Sequence, residues 1–185
     1  MWEMMQELSL NILDIAQNSI KAEADLIKIE IHKNPIEHTM RIVIEDNGRG
    51  MTKEQVERVE NPFFTTRTTR KVGLGVPFFK MSAEMTGGNF HIDSEIDVGT
   101  TVVATYRLDH IDLMPLGDMA STMVTLISVN PDIDFIYTYG IGENQFSLDT
   151  REVRVILEGM PVNSPPVLSF IKEFIEENTK QVNEI

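Results

Sequence analysis

Two groups of side chains in this 185-residue sequence have types and spacings that could do chemistry. Asp14 and Asn18 are four residues apart, so on a helix their side chains would point the same way. Asp46 is followed by Gly48 and Gly50, and glycine lets backbone approach a bound group closely. A carboxylate, an amide oxygen and a glycine loop could together line a polar pocket.

The segment around Asp46 reads as a strand that enters a loop and then a helix. Residues 40–45 alternate and are rich in β-branched side chains, which predicts a strand. Asn-Gly after a strand is most often a hairpin turn. Thr52 and Gln55 fit a capping box, however, and this predicts a helix over residues 52–59 instead.

The helix predicted over residues 7–21 is apolar around most of its circumference. Its polar residues occupy one narrow wedge: Glu7, Asn11, Asp14, Gln17, Asn18 and Lys21. The wedge could be a solvated stripe or the wall of a pocket. Asn and Asp are poor helix formers, and a merely solvated stripe would more readily consist of Glu and Lys, so we favour the pocket wall.

A hydroxyl-rich segment without apolar periodicity, residues 61–75, is predicted to be a loop. Arg67, Arg70 and Lys71 fall within five positions there, although the chain carries a net charge of −13. A cationic patch in an anionic protein could attract a polyanion such as a triphosphate; a basic surface loop is the alternative.

Gly73 and Gly75 stand just before Pro77, and proline favours the first turn of a helix. Free N–H groups make a helix N-terminus suitable for phosphate. The segment is not a P-loop, because the Gly-Lys-Ser/Thr sequence is absent. The helix should end at Gly87-Gly88 and be followed by strands over residues 89–94 and 100–108.

Taken together, these motifs resemble the ATPase superfamily of DNA gyrase, heat-shock chaperones, histidine kinases and MutL. The resemblance covers about residues 7–108, and the Pro62–Thr66 run looks most like the histidine kinase branch. It implies an α+β fold, a two-layer α/β sandwich whose mixed sheet is covered on one face by helices. Residues 1–108 would be the ATP-binding domain.

The resemblance also implies a role for each site residue. Asn18 would bind Mg²⁺ at the ATP phosphates, and Asp14 would orient the attacking group. Asp46 would accept a hydrogen bond from the adenine amino group, with Gly48 and Gly50 closing the loop over the base. Thr101 would support Asp46. The remaining ATP-binding residues would form a lid and the phosphate loop: Thr65, Arg67, Arg70, Lys71, Gly73 and Gly75.

Residues 109–185 are predicted to form a small α+β module for docking, dimerisation or regulation. We expect a helix over residues 117–129, a hairpin of residues 135–139 and 145–148, and helices over 149–157 and from Pro166 to about residue 180. Tyr137 and Tyr139 are expected to be packing residues.

The composition argues against several classes of function. The acidic charge disfavours nucleic acid and anionic membranes. Zero cysteines exclude disulfides and suit the cytoplasm. The acidic N-terminus is unlike a signal peptide, and no apolar run reaches the length of a membrane span.

The sequence therefore predicts an Mg-ATP-binding kinase or ATPase that acts with a protein partner in signal transduction. Asp14 lies close to Met1, so we expect the phosphoacceptor on another chain, or on a partner's serine or threonine as for anti-sigma-factor kinases. A nucleotide-gated interaction module with negligible turnover is the alternative, and a homodimer is possible. A third reading, a MutL- or gyrase-like ATPase that dimerises around DNA, conflicts with the charge.

Overall fold

The structure, a computed structural model, describes residues 7–60 and 74–184. The described helices are α1 (Leu8–Lys21), α2 (Lys53–Glu60), α3 (Gly75–Met85), α4 (Met119–Val129), α5 (Thr150–Ile156) and α6 (Pro165–Asn183). The described strands are β1 (Leu26–Asn34), β2 (Thr39–Asp46), β3 (Asn89–Glu95), β4 (Gly99–Arg107), β5 (Asp134–Ile141) and β6 (Asn144–Asp149).

The six strands form one mixed sheet in the order β3-β4-β2-β1-β5-β6. Strand β5 runs parallel to β1, whereas the other neighbouring pairs are antiparallel. The alternation expected of a half-buried sheet is regular, since Met40, Ile42 and Ile44 of β2 are buried and the residues between them are more exposed.

One face of the sheet packs against the helices, and the other carries exposed charges. The core face supplies the buried side chains Ile27, Ile29, Ile31, Val102, Ala104, Phe135, Tyr137 and Tyr139, which pack with apolar residues of α1, α3, α4 and α6. The open face carries ion pairs such as Lys28 with Glu45, 2.7 Å apart. The predicted α+β architecture, with a mixed sheet covered on one face, is confirmed.

The C-terminal strands extend the sheet of the N-terminal part. Strand β5 pairs with β1 from Leu26 opposite Asp134 to Lys33 opposite Ile141. The predicted hairpin is present as β5 and β6, and Tyr137 and Tyr139 are packing residues as expected. The division into two domains at residue 108 stays a prediction, although the sheet and its core run across that position.

Helix α1 lies on the core face with its ends fixed by neighbouring segments. Its first N–H groups, which no helical carbonyl can satisfy, donate to the carbonyls of Pro115 and Leu116 at 3.0 and 2.8 Å. At its other end Arg49 N donates to Ala22 O at 2.9 Å. Among the described helices, none is long and apolar enough to cross a membrane.

Candidate functional site

Asp46 ends β2 with its side chain on the core face, because it continues the alternation of Met40, Ile42 and Ile44. Only 9% of the residue is exposed. Its Oδ2 accepts a 2.5 Å hydrogen bond from the Ser19 hydroxyl of α1, and its Oδ1 accepts a 2.9 Å bond from the N–H of Gly48. Two donors thus fix the carboxylate, and each oxygen keeps a lone pair for a ligand.

The loop after Asp46 is held against α1 and β3 by close backbone contacts. A Cβ at Gly48 would lie 2.7 Å from the carbonyl oxygen of Ala22. A Cβ at Gly50, where φ is +66°, would lie 1.9 Å from the carbonyl oxygen of Glu95. Both positions need glycine for this packing, which explains why the sequence alternates glycine here.

Asn47 fastens the same loop to the beginning of β1. Its Oδ1 accepts from the N–H groups of Asp25 and Leu26 at 3.1 and 3.0 Å, and its Nδ2 donates to the Asp25 carboxylate at 2.5 Å. The side chain therefore imitates a strand partner at the end of the sheet. This explains why the Asn-Gly pair forms a fixed loop here and not the two-residue hairpin that it usually indicates.

The polar wedge of α1 is not a solvated stripe along its whole length. Asn11 is 1% exposed and Asp14 and Asn18 are half-buried, whereas Gln17 and Lys21 are exposed. The centre of the wedge is therefore partly shielded from solvent by neighbouring protein, and its role as a pocket wall stays a prediction.

Asp14 lies against the first residue of α3. A Cβ at Gly75 would be 2.8 Å from the Cβ of Asp14 and 3.2 Å from its Oδ2. Burial raises the pKa of the Asp14 carboxyl above its usual range, and the positive charge of Lys21 partly opposes this. A half-buried carboxyl thus adjoins the N-terminus of a helix, where backbone N–H groups lack helical partners.

The register of β2 and β4 corrects the role predicted for Thr101. Thr100 is paired with Asp46, and Thr101 is paired with Glu45. Cross-strand partners share a face of the sheet, so Thr101 lies on the open face and cannot support Asp46 from the core side. Thr100 has that position.

A hydroxyl group from β3 connects Thr100 to the loop after Asp46. Ser94 Oγ lies 2.8 Å from Thr100 Oγ1 and 3.0 Å from the carbonyl oxygen of Gly99. It also accepts a 2.8 Å hydrogen bond from Met51 N. No local pattern in the sequence predicts a role for Ser19, Ser94 or Thr100; Ser19 and Thr100 are only neighbours of the predicted site residues Asn18 and Thr101.

The structure thus brings together six of the predicted residues, Asp14, Asn18, Asp46, Gly48, Gly50 and Gly75, around α1 and the end of β2. The predicted lid residues Thr65, Arg67, Arg70 and Lys71, and Gly73 of the phosphate loop, lie outside the described residues.

A magnesium ion at this site would have to be bound mainly by phosphate and water. Within residues 7–60 and 74–184 there is no group of three or more His, Cys, Asp or Glu side chains that could form a protein cage for a metal. Mg²⁺ keeps several waters and commonly takes one or two protein ligands together with substrate phosphates. A single amide oxygen, that of Asn18, is compatible with such a shell.

Comparison with known proteins identifies several similar kinases. Sporulation kinase D of Bacillus subtilis is 32% identical over 94 residues, which are 51% of this chain and 18% of that protein. Histidine protein kinase SaeS of Staphylococcus aureus is 30% identical over 113 residues, 57% of this chain and 31% of that protein. Sensor kinase CckA of Brucella abortus is 34% identical over 79 residues, 42% of this chain and 8% of that protein. The chain therefore spans less than a third of the length of these relatives.

A solved structure shares the fold. The crystal structure of the N-terminal domain of a DNA repair protein superposes with a TM-score of 0.57 at 14% identity, over 78% of this chain and 53% of that one. Finally, residues 3–110, more than half of the sequence, match the family described as histidine kinase-, DNA gyrase B-, and HSP90-like ATPase. The chain belongs to this family of histidine kinase-like ATPases.

Proposed function

We propose that this protein binds Mg-ATP between α1 and the end of β2 and transfers or hydrolyses the γ-phosphate together with a protein partner. The observation that carries the proposal is the fixed carboxylate of Asp46. It is 9% exposed and held by Ser19 and Gly48, yet both of its oxygens can still accept a hydrogen bond.

Asp46 would select adenine because its carboxylate can accept a hydrogen bond but cannot donate one. Adenine carries an amino group that donates, whereas guanine carries a carbonyl oxygen that accepts at the corresponding position. A carboxylate can accept a hydrogen bond from the adenine amino group, and it repels the guanine carbonyl oxygen. The site therefore favours ATP over GTP.

The residues of α1 would act on the phosphates. Asn18 would hold Mg²⁺, which neutralises the charge that develops on the transferring phosphoryl group. Asp14 would accept the proton of the attacking group or orient it. The raised pKa of Asp14 supports this role, because a base works best when its pKa approaches the operating pH.

The remaining roles belong to the predicted lid residues, which would contact the phosphates, and to the protein partner. Thr65, Arg67, Arg70, Lys71 and Gly73 would contact the phosphates as the family resemblance implies. The partner would supply the phosphoacceptor, which is consistent with the sensor and sporulation kinases among the relatives. The absence of cysteine supports a reducing compartment such as the cytoplasm.

Calorimetric titration with ATP, ADP and GTP, with and without Mg²⁺, tests the proposal. We expect Mg-dependent binding of ATP, weaker binding of GTP, and loss of the magnesium dependence in Asn18→Ala. Gln17→Ala is the matched control, since Gln17 is the exposed neighbour on the same helix. A preference for GTP, or unchanged Mg-dependent binding in Asn18→Ala, would contradict the proposal.

A regulatory module that closes on ATP without turnover is distinguished by kinetics. Phosphate release and autophosphorylation are measured for the wild type and for Asp14→Ala. Turnover that disappears in Asp14→Ala identifies an enzyme, whereas tight ATP binding without turnover identifies a nucleotide-gated interaction module.

A further inference from the structure

An apolar groove lies between α5 and the beginning of α6 and shares no residue with the proposed nucleotide site. Its volume is about 310 Å³, and it is lined by Val153, Ile156, Leu157, Pro166, Val167 and Phe170. Ile156 is 78% exposed and Phe170 is 57% exposed. Large apolar side chains exposed this far and next to one another mark an interaction surface more often than a free surface.

The groove does not suit a small polar ligand. Small-molecule sites combine an apolar wall with a few convergent polar groups that fix orientation. The six side chains that line this groove carry no polar atom. A pair of helices with an apolar channel between them is instead the surface that receives an amphipathic helix.

The charges beside the groove are acidic. Glu173 and Glu177 follow Phe170 by three and seven residues, so they lie on the same exposed face of α6. Glu152 and Glu158 are exposed on and just after α5. Among the ion pairs of the described residues, none involves these four glutamates: Glu152, Glu158, Glu173 and Glu177.

The cationic side chains near the groove form ion pairs with carboxylates of this chain. Arg151 lies 2.6 Å from Asp149, and Lys172 lies 3.8 Å from Glu176. Arg154 lies 3.0 Å from Asp134 and also donates to the carbonyl of Pro131. The charge left beside the groove is therefore negative and adds to the net charge of −13.

The groove is at the same end of the sheet as the nucleotide site. Asp149, the last residue of β6, is paired with Ile136, while Asp46 is paired with Ile27. Three strand spacings separate β6 from β2, which amounts to about 14 Å. A protein bound at α5 and α6 would thus stand beside the site where the nucleotide is proposed to bind.

We infer that the groove between α5 and α6 binds an amphipathic helix of a partner protein, with apolar residues in the groove and lysine or arginine beside Glu173 and Glu177. Its acidic surroundings favour a basic partner over a second copy of this acidic chain, and they repel an anionic membrane surface. That the groove binds a protein rests on the proposed function, in which a protein partner takes part. The existence of the groove and the charges around it does not depend on that proposal.

Two helical peptides of one design provide the test. Both carry leucines at i, i+3, i+4 and i+7, and they differ only in having lysine or glutamate at the flanking positions. Binding is measured by fluorescence anisotropy for the wild type, Ile156→Ser and Phe170→Ala. Ile36→Ser is the control, because Ile36 is 91% exposed in the turn at the opposite end of the sheet.

We expect the lysine peptide to bind at least 10-fold tighter than the glutamate peptide, and more weakly as NaCl is raised. Ile156→Ser and Phe170→Ala should each weaken binding about 10-fold, whereas Ile36→Ser should not. Equal binding of the two peptides, or unchanged binding in both groove variants, would overturn the inference.

Two further measurements cover the other occupants. A dimer in analytical ultracentrifugation that disappears in Phe170→Ala would replace the partner by a second copy. Binding to phosphatidylglycerol vesicles that disappears in Ile156→Ser would replace it by a membrane. ATP calorimetry on the same variants tests the nucleotide site separately from the groove. If the peptide binds and ATP does not, the proposed nucleotide site is refuted and the proposed peptide-binding groove is not.

Discussion

The hydroxyl of Ser19 donates a 2.5 Å hydrogen bond to the carboxylate of Asp46, across 27 positions of sequence. The bond joins the buried face of α1, at the residue after Asn18, to the end of β2. Because Ser19 and Asp46 are 3% and 9% exposed, water competes weakly for this bond. The position of Asp46, which is proposed to bind adenine, thus depends on the helix that is proposed to act on the phosphates.

Replacing Ser19 by alanine should weaken both the fold and ATP binding. Loss of a buried hydrogen bond to a carboxylate costs about 1.5–3 kcal/mol, so we expect the free energy of unfolding to fall by that amount and ATP affinity to fall about 10-fold. Urea denaturation and calorimetry measure the two effects. Ser9→Ala is the control, since Ser9 is equally buried on α1 but bonds to Glu7. Equal losses of ATP affinity in both variants would contradict the role of Ser19.

Asp46→Asn should reduce the preference for ATP over GTP. The amide can present a donor to the guanine carbonyl, so the ratio of the two dissociation constants should move toward one. ATP affinity itself should fall about 10- to 100-fold. Competition titrations with both nucleotides measure the ratio.

Glu45→Gln is the matched control for Asp46→Asn. Glu45 is the preceding residue, but it faces the open side of the sheet and pairs with Lys28 there. An exposed pair of this kind contributes at most about 1 kcal/mol to stability. An altered nucleotide preference in Glu45→Gln would indicate that general charge, and not the Asp46 carboxylate, governs selection.

The elements that hold Asp46 could be predicted from local sequence. Alternation predicted β2, the capping box predicted α2, and the apolar circumference predicted α1, because each pattern lies within one element. The partial burial of the polar wedge of α1 was also predictable, since asparagine and aspartate are poor helix formers and a solvated stripe would more readily consist of Glu and Lys.

Contacts between elements could not be predicted in the same way. Nothing local to Ser19 indicates that its hydroxyl meets Asp46, because that contact depends on how α1 lies across the sheet. The choice between Thr100 and Thr101 is a matter of register, and a shift of one residue moves a side chain to the other face. The pairing of β1 with β5 likewise joins segments more than 100 residues apart.

The register makes opposite predictions for two adjacent threonines. Thr100→Val removes a hydroxyl that shares a face with Asp46 and bonds to Ser94, so we expect ATP affinity to fall by about 1 kcal/mol, roughly fivefold. Thr101→Val changes the open face and should leave affinity within about twofold. Both changes are nearly isosteric, and calorimetry distinguishes them. The reverse result would restore Thr101 as the residue that supports Asp46.

Asp14→Asn should stabilise the protein at neutral pH while it removes turnover. A raised pKa in the folded state means that the stability contributed by Asp14 is complete below its unfolded value, 3.8, and is lost as pH rises through the folded pKa. At pH 7 the wild type therefore carries an ionised, half-buried carboxylate at position 14. Asp14→Asn replaces it with a neutral amide. We expect a higher Tm for Asp14→Asn at pH 7 and no difference near pH 3.

The same variant separates stability from catalysis. General acid–base assistance is worth about 100-fold or more, so phosphate release should fall by at least that factor although the fold is more stable. Thermal unfolding across pH and a phosphate-release assay provide the two readouts. A lower Tm at pH 7, or undiminished turnover, would count against the burial of Asp14 or against its role as base.

Gly50→Ala should cost far more stability than Gly142→Ala, although both glycines have positive φ. The left-handed conformation alone costs about 1–2 kcal/mol for alanine and applies to both. At Gly142 a new Cβ meets no heavy atom of the described residues within 4 Å, whereas at Gly50 it would lie 1.9 Å from the carbonyl oxygen of Glu95. Backbone must move to relieve that overlap, which adds about 1–3 kcal/mol.

The comparison of the two glycine variants isolates the contact between the Asp46 loop and β3. Since the shared cost of positive φ cancels, the difference between their unfolding free energies in urea reports only the overlap at Glu95. Movement of the loop would also displace Gly48, whose N–H holds Oδ1 of Asp46, so ATP affinity should fall in Gly50→Ala alone. The two variants could instead have equal unfolding free energies and unequal ATP affinities. That result would mean that the loop moves away from β3 at little cost in stability. The bond from Gly48, and not the packing against Glu95, would then set the position of the Asp46 carboxylate.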